Sequence, residues 1–124
     1  MVHEPLPQWS LGRATLLGDA CHSALPFLAQ GAAMAIEDGY VLARCTERHP
    51  DGLPAAWRQY EAARLERTTR MVRGAAEQAT RLHNPSLADP STAEEYVKRA
   101  HEEGVVRQRF DWLYAYDAVG GAID

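Results

Sequence analysis

The chain has 124 residues, 46% of them hydrophobic and 24% charged, the makeup of one soluble globular domain or a piece of one and not of a disordered tail. Its 13 basic and 17 acidic residues are mixed along the sequence, for a formal net charge of −4, so no broad basic field is present to hold nucleic acid or anionic lipid. No apolar run approaches the roughly 20 residues that span a bilayer, and Met1 to Trp9 lacks a basic segment followed by an apolar one, so the expectation is a cytoplasmic protein with neither a membrane nor a nucleic-acid partner.

Pro5, Pro7 and Trp9, then Ser10-Leu11-Gly12, read as an extended or turning lead-in, since each proline fixes its own torsion and biases its predecessor away from helix. Ala14-Thr15-Leu16-Leu17 is a short apolar run ending at Gly18-Asp19, which predicts a buried strand without a partner in the chain. A helix rich in small residues is predicted from Gln30 or Gly31 to about Arg48, ended by Pro50-Asp51-Gly52, with Arg44, Arg48 and His49 complementing its dipole. From Pro54 to Leu82 the residues Trp57, Tyr60, Arg64, Thr68, Met71, Ala75, Ala79 and Leu82 recur at steps of three or four, predicting a helix roughly 40 Å long. Glu66 with Arg70 and Glu77 with Arg81 have the i, i+4 spacing of a solvated face. His83-Asn84-Pro85 stops that helix and Leu87 to Ser91 reads as a loop; Ser91 or Thr92 opens a third helix, to about Glu103, broken at Gly104. The tail from Phe110 to Tyr116 is aromatic enough to need a surface to pack on. The expected fold is therefore mainly α, three helices and one strand, whose sheet partners are expected upstream of this chain.

The two cysteines, Cys21 and Cys45, lack a CxxC spacing and fit reduced thiols. Cys45 with His49, joined by Cys21 and His22, has the donor types of a zinc site, but adjacent residues rarely both ligate one ion and Cys45 faces the apolar side of its helix, so no metal is expected.

The informative stretch is Leu16-Leu17-Gly18-Asp19-Ala20-Cys21-His22, then Pro26-Phe27-Leu28-Ala29-Gln30-Gly31-Ala32-Ala33 and on to Glu37-Asp38. A strand ending at a Gly-Asp turn, a loop and a glycine-led helix aim free N–H groups and a positive dipole end at whatever the loop holds. A carboxylate at the strand end can accept hydrogen bonds from sugar-like hydroxyls, and Gly31 lets a flat ligand approach the backbone.

These residues resemble the second FAD-binding motif of the single-component FAD-dependent aromatic monooxygenases, most closely the salicylate and hydroxybenzoate hydroxylase branch. Pro5-Leu6-Pro7-x-Trp9 before Gly12-Arg13, Tyr60-Glu61-x-x-Arg64-x-x-Arg67, and Trp112-Leu113-Tyr114-x-Tyr116-Asp117 extend the resemblance over nearly the whole chain. It implies the C-terminal fragment of an α/β, Rossmann-like FAD-binding fold, with residues 1–53 ending the FAD domain and 54–124 a helical region packed on it. It further implies that Gly18 and Asp19 bind FAD, Asp19 at its ribityl chain, that Pro26 lies beside the reactive ring edge as the catalytic-site residue, and that the amides of Gln30, Gly31, Ala32 and Ala33 sit at the pyrimidine end of the flavin, where they stabilise negative charge. The complete enzyme would use FAD, NAD(P)H and O2 to hydroxylate a small aromatic acid. Ala29 and Ala33 depart from the family, where glycine and asparagine are common.

No Gly-x-Gly-x-x-Gly occurs in the sequence, and that unit holds the pyrophosphate of FAD. The chain is thus expected to lack an N-terminal half of the FAD domain and to be inactive alone; a different reading is a non-catalytic helical remnant acting as an interaction module. His22 reads as a loop histidine orienting the turn in preference to a general base, and Glu37 and Asp38 as structural carboxylates pairing with Arg64 or Arg67. Asp19, His22 and Ser23 are the residue types of a hydrolytic triad, but no nucleophile elbow accompanies them.

Overall fold

The computed structural model describes residues 4–123; Met1, where the stretch read as lacking a basic and then an apolar segment begins, lies outside them. In chain order they form β1 (Ser10–Leu11), β2 (Ala14–Thr15), α1 (Asp19–His22), α2 (Gly31–Arg48), α3 (Leu53–Leu82), α4 (Pro90–Ala100) and α5 (Glu103–Tyr114), with 3₁₀ turns at Pro26–Leu28 and Pro85–Ala88. The mainly α expectation holds.

The strand expected to be unpartnered is not. β2 pairs antiparallel with β1, Ser10 opposite Thr15 and Leu11 opposite Ala14. Gly12, at φ +58°, opens the two-residue turn between them, a position that favours glycine. The strand is also shorter than the run Ala14 to Leu17 and is not buried: Leu16 and Leu17 are 38% and 39% exposed. An apolar run signals a strand, but nothing in it says which neighbour covers it.

α2 and α3, joined by the short turn at His49–Gly52, form a helical hairpin that is the main packing unit of the chain. α3 buries Ala56, Tyr60, Arg64, Thr68, Met71, Val72 and Ala75, the three-and-four spacing of one helical face. The expected stripe holds from Tyr60 to Ala75 and then leaves the core, since Leu82 is 54% exposed. One core cluster joins Trp9, Cys21, Val41, Cys45, Ala56, Tyr60 and Ile123. A second joins Met34, Met71, Val72 and Leu113, with Phe110 and Trp112 packed on it.

The C-terminal part differs most from expectation. α4 starts at Pro90, with the Asp89 side chain accepting from the Ser91 N–H, because proline suits the first helical position and aspartate the cap before it. It ends at Ala100, and a further helix, α5, follows from Glu103, with Gly104 inside its first turn. The aromatic tail thus begins as a helix that buries Leu113 on α3's second cluster. Arg44 and Arg48, the latter in the last turn of α2 as expected, also hold the tail. Arg44 donates to the carbonyls of Ala118 (2.7 Å) and Gly121 (2.9 Å), and Arg48 and Gln59 donate to that of Ile123 (3.0 and 2.8 Å).

The lead-in is held by one carboxylate. Glu61 on α3 accepts the backbone N–H groups of Trp9 (3.0 Å) and Ser10 (2.7 Å) through the same oxygen. Replacing Glu61 with alanine strands two partly buried donors and is expected to cost about 1–3 kcal/mol, with Glu61→Gln milder because its amide oxygen still accepts. Urea denaturation of both variants checks this; equal losses would show that side-chain shape, not the accepting oxygen, holds the lead-in.

Candidate functional site

Gly18 is the pivot of the site. It has φ 62° and ψ −137°, a conformation that side chains resist, and a β-carbon there would lie 3.2 Å from that of Ala35 on α2. Torsion and space therefore both call for glycine. Its carbonyl gathers the N–H groups of Cys21 (3.0 Å) and His22 (3.1 Å) and the Cys21 thiol (3.2 Å), winding the chain into the single turn of α1.

Asp19 follows with its side chain exposed. A β-carbon placed on Gly31 would lie 3.9 Å from Asp19 Oδ1, so this carboxylate stands at the first residue of α2. Gln30 is the residue before that helix and supplies no side-chain cap. The N–H groups of Gly31, Ala32 and Ala33 have no acceptor within the helix and are available to a ligand. Pro26 is exposed and opens the 3₁₀ turn between the two segments. That turn closes on Ala29, held left-handed at φ 53°, whose N–H donates to the Pro26 carbonyl at 3.0 Å. The structure thus gathers Gly18, Asp19 and the start of α2, with Pro26 on the turn connecting them.

Behind the turn lies a buried ionic network. Asp38 on α2 is fully buried and accepts from two segments: from the α1 turn, the Gly18 N–H (3.2 Å) and His22 Nε2 at Oδ2, and from α3, Arg64 Nε (2.7 Å) at Oδ1. Since an ionised carboxylate only accepts, His22 Nε2 carries the proton in this bond. Arg64, on α3, also meets Glu37 at 2.7 Å. Glu37 in turn takes both arms of Arg67 at 2.8 Å, a fork-to-fork pairing. Arg67 donates on to the carbonyls of Trp112 (3.1 Å) and Leu113 (2.9 Å) and lies 4.1 Å over the Tyr116 ring. One chain of contacts therefore runs from the Gly18 turn through α2 and α3 to α5.

The pairing of Glu37 and Asp38 with Arg64 and Arg67 agrees with the sequence. The burial of Asp38 and its grip on His22 and Gly18 were not legible there. His22 is not a loop residue but the buried last residue of α1. Burial alone would raise the Asp38 carboxyl, but the hydrogen bonds from His22 and Arg64 outweigh it and hold it below the usual range. For Glu37, too, burial is outweighed by the bond from Arg67 and the charge of Arg64.

The donors weighed for a metal are disposed otherwise than in the Cys45 and His49 set. His49 pairs with Gln59 at 3.1 Å, whereas Cys21, His22 and Asp38 bring ligand atoms within 4.8 Å of one another. Burial, then the charge of Asp38, raises the Cys21 thiol, and both Asp38 oxygens are already engaged, Oδ1 by Arg64 and Oδ2 by His22 and the Gly18 N–H.

A family profile described as an FAD binding domain matches residues 3–75. The 3-hydroxybenzoate 6-hydroxylase of Polaromonas naphthalenivorans (strain CJ2) is 36% identical over 118 residues, covering 92% of this chain and 28% of its own length. The 6-hydroxynicotinate 3-monooxygenase of Pseudomonas fluorescens is 55% identical over 76 residues, covering 59% of this chain and 19% of its own. A solved structure described as a salicylate hydroxylase substrate complex superposes with a TM-score of 0.70 at 26% identity, over 98% of this chain and 30% of that one. The chain therefore spans less than a third of the length of each of these relatives.

Three outcomes follow for the site. Replacing Asp38 with asparagine removes one of the two carboxylates that Arg64 meets, leaving Glu37, and is expected to cost about 1–3 kcal/mol, read as a lowered melting temperature or loss of cooperative unfolding. Asp38 and Glu37 have folded-state values below their ordinary 3.8 and 4.5, so the stability they contribute is present above those ordinary values and is lost as pH falls through the lower folded ones. Acid titration of the melting temperature should show this loss in the parent chain and a smaller one in Asp38→Asn. Ala29→Gly has the opposite sign: relieving a left-handed alanine is expected to stabilise by about 1 kcal/mol, and an unchanged or lowered melting temperature would contradict it.

Proposed function

This chain belongs to the FAD-binding domain family whose profile spans residues 3–75, and on that premise we propose that it is the flavin-contacting C-terminal portion of an FAD-dependent monooxygenase that hydroxylates a small aromatic acid. The observation that carries the reading is the juxtaposition of the exposed Asp19 carboxylate with the uncapped start of α2 across Gly31. The geometry fits a ligand that is rich in hydroxyls at one end and electron-accepting at the other. A β-carbon on Gly31 would point toward Asp19, and the free N–H groups beside it have no protein acceptor in their helix.

In this reading Asp19 accepts hydrogen bonds from the ribityl hydroxyls of FAD, and Gly18 sets the direction of that carboxylate. The N–H groups at Gln30, Gly31, Ala32 and Ala33 face the pyrimidine end of the ring, where fixed dipoles stabilise negative charge without reorganising. Pro26 borders the reactive edge. Bound flavin would supply the electron transfer and oxygen activation, with NAD(P)H as reductant of the complete enzyme. Residues 1–53 would then close the FAD domain and 54–124 brace it, with the pyrophosphate-binding half supplied by chain not contained in these 124 residues. The relatives whose names specify hydroxybenzoate and hydroxynicotinate support the aromatic acid as substrate class.

A second reading, an interaction module without catalysis, is favoured by the apolar side chains left in solvent: Leu11 is 81% and Ile36 75% exposed. Both readings require something to cover them, and flavin separates the two. The purified chain is expected to bind FAD weakly or not at all by fluorescence quenching. Joined to a relative's N-terminal half carrying Gly-x-Gly-x-x-Gly, it should bind, with Asp19→Ala weakening the affinity about tenfold or more. Failure of the joined protein to bind FAD, or full affinity in Asp19→Ala, would overturn the assignment.

A further inference from the structure

On α3, Glu66, Arg70, Arg73, Glu77 and Arg81 recur at steps of three or four, so they share one side of the helix. Arg109 and Trp112 come from α5 and Leu28 from the Pro26 turn, and together these residues line a groove of about 520 Å³, the size of many small-molecule sites. Leu28 reaches it because α3 has a glycine at position 74: a β-carbon there would be 3.3 Å from Leu28 Cδ1.

The charge in this groove is unbalanced. Four arginines face two glutamates, in a chain that is net negative. Glu77 meets Arg81 at 3.4 Å. The expected partner bond between Glu66 and Arg70 does not form; Arg70 lies instead 4.2 Å over the Trp112 ring. Among the described residues no carboxylate lies within ion-pair distance of Arg70, Arg73 or Arg109. Burial, then the charge of Arg81, pushes the Arg109 guanidinium down, against the opposing charge of Glu77.

We propose that the groove between α3 and α5 binds a phosphate-bearing anion, its phosphate held by Arg70, Arg73 and Arg109 and its organic part against Leu28 and Trp112. A lone carboxylate is satisfied by one guanidinium, whereas several unpaired guanidinia from two helices match the charge and multiple acceptor oxygens of phosphate. This site is separate from Asp19 and does not rest on the flavin assignment. A ligand there would touch the turn that carries Pro26, because Leu28 belongs to both.

The test is calorimetric titration of the purified chain, at low ionic strength, with inorganic pyrophosphate, adenosine 2′,5′-bisphosphate and benzoate. Pyrophosphate is expected to bind saturably, less tightly as salt is added, and to lose about tenfold or more in affinity in R73Q/R109Q. Arg99→Gln, an exposed arginine paired with Glu95 on α4, should leave binding unchanged. Tighter binding of the nucleoside bisphosphate would support a nucleotide as the source of the phosphate, and equal binding free phosphate. Absence of saturable binding, unchanged affinity in the double variant, or benzoate binding as well as pyrophosphate would each overturn the proposal.

Discussion

One buried carboxylate organises this chain. Asp38 lies in the interior, where an unpaired charge would cost several kcal/mol, and it is tolerated because three donors from two segments, the α1 turn and α3, converge on it. These are the Gly18 N–H, His22 and Arg64. Moving any one of them takes a hydrogen bond from a buried carboxylate, so the position of the Gly18 turn is tied to the packing of α2 on α3. Such a network specifies geometry more than it adds stability.

That constraint explains how a short, exposed loop can be prepared for a ligand. Asp19 needs no bond of its own to be placed; it follows Gly18, whose amide is tied to Asp38 and where an added β-carbon would crowd that of Ala35 at 3.2 Å. The start of α2 is fixed by the same helix that carries Asp38. Polar groups that would contact flavin are thus positioned by groups that would not, so that little ordering would accompany binding. The second carboxylate, Glu37, extends the hold through Arg67 to the carbonyls at the end of α5, so the aromatic tail and the motif share one framework.

The helices α2 and α3 were legible to within a residue, because small-residue and three-and-four periodicities are local signals and proline and glycine mark their ends. The residues that bond across the chain were half legible. Charge complementarity announced Glu37 and Asp38 with Arg64 and Arg67, but not that Asp38 faces inward toward His22, since this depends on α1 folding under α2. α5 was hidden behind Gly104, which looks like a stop yet falls in a first turn, where glycine costs little. The hairpin partner of β2 was hidden because Ser10-Leu11 is too short to show a pattern. Ala29 illustrates a further limit: nothing local in the sequence announced its left-handed torsion, a conformation that favours glycine.

The claim on which the rest stands is that Asp38 holds the Gly18 turn as firmly as the helices it joins. Hydrogen exchange of the Gly18 amide measures this directly, because that N–H donates to Asp38 and to nothing else recorded in the structure. The account predicts protection comparable to the buried amides of α2 and α3, and collapse of that protection in Asp38→Ala under conditions where the helices remain protected. Exchange of Gly18 at the rate of an open loop in the parent chain, with α2 and α3 protected, would show that the turn is not preorganised and would contradict it.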